Sequence, residues 1–311
     1  MGINTKNEEI NTKANRSHFS RSQNLEEILE TLKSTILLKN SLHKEKKTQL
    51  INTINDLSKS PLGIHILTSQ GANGYWTDHL MFPNKSGAKF VSNSDIEDFL
   101  YFRSPHVLAQ REQYSIIAGV IRSLLKEKAI IASIPCGLMR DILEIDFSKL
   151  NSFRLIGVDL DSDSLDRARI LAKEKKFNNL ELLQMNAWNL NLPAKVDVIS
   201  SIGLNVYESD SLFLGKLYTE FYNSLNPGGT FITSVLTTPP WLCKSSDWKV
   251  NNISHEDLLL EKLLHFEIFD VKWQNFTSLA KAKDPFYKAG FSEVSIIEDK
   301  NSAYPVIVCK K

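Results

Sequence analysis

Cysteine is scarce in this sequence of 311 residues: Cys136, Cys243 and Cys309 are far apart, and no two stand in a CxxC pair. That excludes a disulfide framework and a zinc knuckle, and it fits a reducing compartment. The seven histidines (His18, His43, His65, His79, His106, His255 and His265) show no HxxxH or similar spacing, so no metal site is expected. An excess of one charge is also missing. The 37 Lys and Arg residues face 36 Asp and Glu, leaving a formal net charge of +1, without the basic weight of a nucleic-acid binder. No apolar run approaches the length of a membrane span. The polar start, MGINTKNEEINTKANRSHFSRSQN, has no apolar core of the kind that a secretory signal needs. From these absences a cytoplasmic protein that engages neither nucleic acid nor membrane is expected. They leave its oligomeric state open.

What is present is an ordinary globular composition, 42% hydrophobic and 23% charged, enough for a large core. Residues 1–23 lack periodicity and read as a disordered tail, and 24–127 read as a helical cap or lid region. Leu25, Ile28, Leu29, Leu32 and Ile36 fall at helical spacing, and a second helix is expected over Lys46–Ser58. Pro61 and Gly63 then break the pattern, and Thr68–Ser86, with Tyr75, Trp76, His79 and Phe82, reads as an irregular aromatic loop or ligand lid. Ser94 with Glu97 forms a capping box that starts a helix at Asp95. Ser104–Pro105 starts another, running to about Lys126 with Leu108, Ile117, Ile121 and Leu124 inward.

From 128 onward the pattern changes. Short apolar runs at 129–134, 153–160, 180–185, 196–202 and 230–236 alternate with amphipathic helices, the signature of βαβ units and a parallel sheet buried on both faces. Phe291–Ile297 and Tyr304–Cys309 lie too close together for a crossover helix, so they should pair antiparallel. Residues 237–285, with Trp241, Trp248 and a helix near Ser254–Phe266, are too long for a plain connection and read as an insertion on the substrate side.

In an open parallel sheet, ligands bind beyond the carboxyl ends of the strands, where the strand order reverses. The first strand leads into Ser133, Pro135, Cys136 and Gly137, where a glycine permits a sharp turn or a close approach to a ligand. The second ends at Asp159–Leu160, whose carboxylate can accept hydrogen bonds from two ribose hydroxyls. The third ends at Asn186, Ala187 and Trp188: an amide for an adenine amino group, a backbone N–H for a ring nitrogen, and an indole that either stacks or packs the core. The fourth enters Ser201, Gly203, Asn205 and Tyr207, where a reacting group would be presented. Tyr207 and His79 are the candidate base or orienting residues, with Asp78 and His106 behind them. Tyr75, Trp76, Asn205 and Trp241 are candidate substrate or lid residues. Cys136 is better suited to packing than to nucleophilic attack.

Several stretches carry a family resemblance, in order and at sensible spacing: GVDLDSDSLDRAR (157–169), MNAWNL (185–190), LNPGGTFITS (225–234) and YKAGFSEVSII (287–297). Residues 129–236 and 286–311 resemble the core of the class I methyltransferases that use S-adenosylmethionine (SAM). The resemblance implies a Rossmann-like α/β fold with a seven-stranded, mostly parallel sheet and an antiparallel C-terminal strand. It also implies SAM as cofactor and transfer of its methyl group, here expected to go to a small molecule. The family's first loop usually reads acid-x-Gly-x-Gly-x-Gly. This sequence has Ser133 in place of the acid, keeps only Gly137, and carries Pro135, which has no N–H. Asn186 replaces the common aspartate, and Arg140 or Asp141 are candidates to help at the methionine end. This altered loop motivates the alternative of a non-catalytic SAM-fold binding protein. An NAD(P) oxidoreductase is disfavoured by the lack of GxGxxG, and a base methylase by Ser-Ile-Gly-Leu after strand four.

Overall fold

The computed structural model describes residues 25–40, 42–83, 94–269, 271 and 273–311; the expected tail at 1–23 lies outside them. The chain forms two compact units. One comprises Glu112–Trp248 with Trp273–Lys311, and the other the described residues of His18–Arg111 with Lys249–Lys272.

The first unit is built on the sheet that the apolar runs imply. Its strands are β1 (Ala129–Ser133), β2 (Phe153–Asp159), β3 (Leu180–Gln184), β4 (Val196–Ser201), β5 (Leu225–Ser234), β8 (Glu293–Ile297) and β9 (Val306–Lys310), with the short β6 (Leu236–Thr237) and β7 (Phe276–Thr277) pairing apart from them. The order is β3-β2-β1-β4-β5-β9-β8, parallel except that β9 runs against both β5 and β8. The strand order reverses at β1, which has β2 on one side and β4 on the other. Alternating residues of β4 and β5 feed two apolar layers. Ile199 and Phe231 pack with Leu217 and Phe221, while Val198 and Ile232 pack with Ile117, Ile121 and Leu165. Pro227–Gly229 sits where the β4–β5 register jumps between Val196 and Val198, with Gly228 at φ +73° and Gly229 pressed so close to Asn226 O that a Cβ would lie 2.9 Å from it.

The second unit is helical: Leu25–Leu38, Lys44–Leu57, Pro61–Ser69, Gly74–Met81, Asp95–Phe102, the start of Pro105–Ser123, and His255–Lys262, which continues as the π-helical turns Leu263–Ile268. The Thr68–Ser86 reading as an irregular loop is corrected here. Ser60 accepts from Gly63 N with Pro61 in the first helical turn, and Asn73 accepts from Trp76 N, so two capped helices run to Ser69 and from Gly74. Gly63 does not break the helix; a Cβ there would lie 2.1 Å from Leu57 O, so glycine permits this crossing. Ser94 caps Glu97 N as its capping box implies. The long helix stops at Ser123 rather than Lys126, and Leu108, expected inward, is 40% exposed.

Candidate functional site

After β1 the chain stays tied to both neighbouring strands. Ile134 N donates to Ser200 O (2.9 Å) and Cys136 N to Val158 O (2.8 Å), on either side of Pro135, which follows a cis peptide bond and has no N–H to give. Gly137, at φ +48°, then aims its N–H at Asp159 Oδ2 (2.8 Å), and Asp161 N binds Asp159 Oδ1 (3.0 Å). One carboxylate thus holds the first loop to the end of β2. Burial raises the Asp159 carboxyl above the ordinary aspartate range, against the pull of the Asp161, Gly137 and Leu160 amides. A carboxylate offers about four acceptor positions, so capacity for a ligand remains beyond these three amides. Met139 N turns back to Cys136 O (2.6 Å), whereas Leu138 N has no partner among the described residues. The loop that lacks two of the usual glycines therefore keeps one backbone donor to offer.

Two side chains of this loop rest on β2. A Cβ at Gly157 would lie 3.1 Å from Cys136 Sγ and 3.2 Å from Met139 Sδ, so glycine there makes room for the loop. Burial, then Asp159 and Asp141, push the Cys136 thiol well above its ordinary range, which suits packing and not nucleophilic attack. Arg140 pairs with Glu144 (3.4 Å) on its own short helix, Arg140–Leu143.

At the third strand end, Asn186 Oδ1 accepts from Trp188 N (3.0 Å), which fixes the amide's orientation and leaves Nδ2 without a partner among the described residues. That Nδ2 suits a ring nitrogen better than the amino group expected from the sequence. Ala187 N is likewise unpartnered among the described residues. Trp188 donates its indole N–H to Phe213 O (3.0 Å) and packs against the core layer, so its ring is anchored in the fold. Leu160 O accepts from Gln184 Nε2 (3.0 Å).

At the fourth strand end, Ser133 lies in register with Ser200, and buried Ser201 accepts from Thr233 Oγ1 (2.7 Å) through its carbonyl. Gly203 has φ +78°, and a Cβ there would meet nothing within 4 Å, so the backbone borders open space. Asn205 is buried, and its Nδ2 donates to Ser234 O (2.8 Å) and Tyr218 Oη (3.2 Å). Tyr207 is half-buried, and burial pushes its hydroxyl up to about 12, with Trp273 bonded to it. It is therefore protonated at neutral pH, able to orient a group but not to take a proton from one. Trp241 packs edge-on against Trp248, ring centroids 5.5 Å apart.

The remaining sequence candidates lie in the helical unit. His79 stacks on Trp76 (5.6 Å, 17°) and meets Tyr75 and Tyr101 edge-on. His106 lies 5.0 Å from the His265 ring, and burial, then His265, holds it well below the ordinary histidine range. Sequence reasoning missed the buried group beside it. Ser104 Oγ donates to Glu261 Oε2 (2.7 Å) while capping Val107 N, and His265 Nδ1 lies 3.0 Å from Glu261 Oε1. The i, i+4 spacing of Glu261 and His265 was the available signal. Among the described residues no cluster of His, Cys, Asp and Glu forms a metal site, and no helix is long and apolar enough to cross a membrane.

The comparisons with known proteins agree with this fold. Residues 134–229 match the family model described as a methyltransferase domain. The fold is similar to the crystal structure of a possible exported protein from Bordetella parapertussis, at 30% identity over 92% of this chain and 95% of that one, with a TM-score of 0.85. It is also similar to magnesium protoporphyrin IX methyltransferase from Synechocystis PCC 6803 with bound S-adenosylhomocysteine (SAH), at 11% identity over 76% of this chain and 94% of that one, TM-score 0.51. The SAM-dependent methyltransferase SibL gives 14% identity, 84% and 77% coverage and a TM-score of 0.51; at these identities the last two show the shared fold alone. No curated protein sequence matches the chain. With the matched domain and the strand order in place, the chain belongs to the class I SAM-dependent methyltransferase superfamily, whose cofactor is S-adenosylmethionine.

Proposed function

We propose that this protein transfers the methyl group of SAM to a small-molecule acceptor, and that it holds SAM along the carboxyl ends of β1–β4. The observation that carries the reading is the Asp159 carboxylate, braced by Gly137 N and Asp161 N yet keeping lone pairs at the strand end where a ribose is held. The residues fit the group: Asp159 for the ribose hydroxyls, Asn186 Nδ2 and Ala187 N for the adenine edge, Leu138 N for the methionine end, and Gly203 bordering the space beside it. SAM supplies an electrophilic methyl on a sulfonium. The protein has only to hold an acceptor in line with it and exclude water. Ser201, held by Thr233, fixes the floor of the site, and Tyr207 donates its hydroxyl hydrogen to position the acceptor. The free thiols of Cys136 and Cys309, both buried, support a cytoplasmic setting. A non-catalytic SAM-binding protein is the second reading, favoured by a loop that leaves only Leu138 N of the Gly137–Met139 amides unpaired. Incubation with methyl-deuterated SAM and a mixture of small amines, phenols, thiols and carboxylates tests the choice. Acceptor-dependent release of SAH with a labelled product supports catalysis. Tight SAH binding with no turnover on any acceptor class leaves the binding protein.

A further inference from the structure

Among the described residues, the buried polar atoms of the sheet unit that lack a hydrogen-bond partner include Asn205 Oδ1, Gln113 Oε1 and Ser200 Oγ. Native folds leave few such atoms unmet, and each needs a reason. These belong together. Asn205 Nδ2 donates to the Ser234 carbonyl (2.8 Å), and Gln113 Nε2 donates to the Ser234 hydroxyl, so both amides are anchored on one residue at the carboxyl end of β5. Ser200 is in register with Ile232, two residues before Ser234, and so shares its face of the sheet. Gln113 is 1% exposed, Asn205 3% and Ser200 0%.

The orientation of Asn205 is fixed by chemistry. A carbonyl and Tyr218 Oη already occupy its two N–H groups, so the orphan is an acceptor. Gln113 offers a second carbonyl oxygen anchored on the same serine. Two unmet acceptors, a hydroxyl able to act either way and no carboxylate in this set complement a group with several N–H hydrogens. They have nothing to offer a carboxylate or phosphate. Resting on the methyltransferase reading above, we propose that Gln113, Asn205 and Ser234, flanked by Ser200, form the acceptor subsite and recognise a primary amine on the methyl acceptor.

The test titrates the SAH-saturated protein with n-butylamine and with butyrate, the same carbon skeleton bearing a carboxylate, by calorimetry. Wild type should bind butylamine and not butyrate. Gln113→Met, close in volume, removes an acceptor and should weaken butylamine about tenfold. Gln113→Glu, which still reaches Ser234 Oγ, should strengthen it by a similar factor. Both variants should remain folded at the assay temperature, shown by a cooperative melt above it, and should keep their SAH affinity. Equal binding of amine and butyrate, no binding of butylamine to SAH-loaded protein, or the same response in both variants overturns the proposal while leaving SAM binding intact. A fall in SAH affinity in Gln113→Met also overturns it, by placing the amine on the cofactor. Failure of wild type to bind SAH at all would count instead against the reading on which the subsite rests.

Discussion

Replacing Asp159 by alanine removes the side chain that binds the first loop to the end of β2, leaving the Cys136 N–Val158 O bond. Two backbone donors, Gly137 N at 2.8 Å and Asp161 N at 3.0 Å, lose an ionised acceptor. Hydrogen bonds to charged groups contribute roughly 1.5–3 kcal/mol each, so the gross loss is about 3–6 kcal/mol. Burying the carboxylate is itself unfavourable, as its raised pKa shows, and that offsets part of the loss. A net destabilisation of about 1–3 kcal/mol in urea denaturation follows. Binding should suffer separately. Ribose hydroxyls that lose a charged acceptor forfeit roughly 1.5–3 kcal/mol, a 10- to 150-fold weaker SAH dissociation constant. Asp159→Asn keeps one acceptor oxygen and should fall between. Calorimetry at a temperature where each variant is fully folded separates the two effects. Unchanged SAH affinity in folded Asp159→Ala would refute the ribose role, and unchanged stability would refute the loop-anchoring role.

Acidification gives a signed test of the same residue. Because the Asp159 pKa is raised in the folded state, its contribution favours folding below the unfolded aspartate pKa and is lost as pH rises through the folded value. The stability of wild type relative to Asp159→Asn should therefore grow as pH falls from 7 to 4; an opposite slope in denaturation midpoints contradicts the burial account. Gly157→Val places methyl groups where Leu182, Cys136 and Met139 already sit, so it should cost about 1–3 kcal/mol and loosen SAH binding, and a neutral result in both would show that the loop does not rest on β2. Ser104→Ala removes a helix cap and a hydrogen bond to the buried Glu261 carboxyl, about 2–4 kcal/mol of stability by urea denaturation, against a few tenths for an exposed serine such as Ser123.

The features legible in the sequence are those set by local chemistry. Runs of β-branched and leucine residues fix most strands to within one or two positions, although β5 begins at Leu225, five residues before the run at 230–236, and takes in the Pro227–Gly229 turn; Ser94 with Glu97 announces its helix. The helix Gly74–Met81 was hidden because a glycine and two aromatics read as a loop, while its cap, Asn73, bonds three residues ahead. Leu108 faces solvent although the periodicity places it inward, since a single apolar residue does not determine which face of a helix is covered. At the site, Gly137, Asp159 and Asn186 stood out as strand-end residues. Their bonding did not, because the Gly137–Asp159 bond joins residues 22 apart and the Asn186–Trp188 bond depends on an amide's orientation. Gln113 and Ser234 are 121 apart in the chain and carry no motif; only the fold brings them together.

The most direct test of the account is isothermal titration of the full chain with SAH and with SAM, after mass spectrometry has shown whether ligand is carried through purification. One-to-one micromolar binding of both, lost or greatly weakened in Asp159→Ala, is the expected result. Absence of binding to either ligand in folded, ligand-free protein would contradict it, and would mean that the Ser133–Met139 loop no longer serves the cofactor of its family.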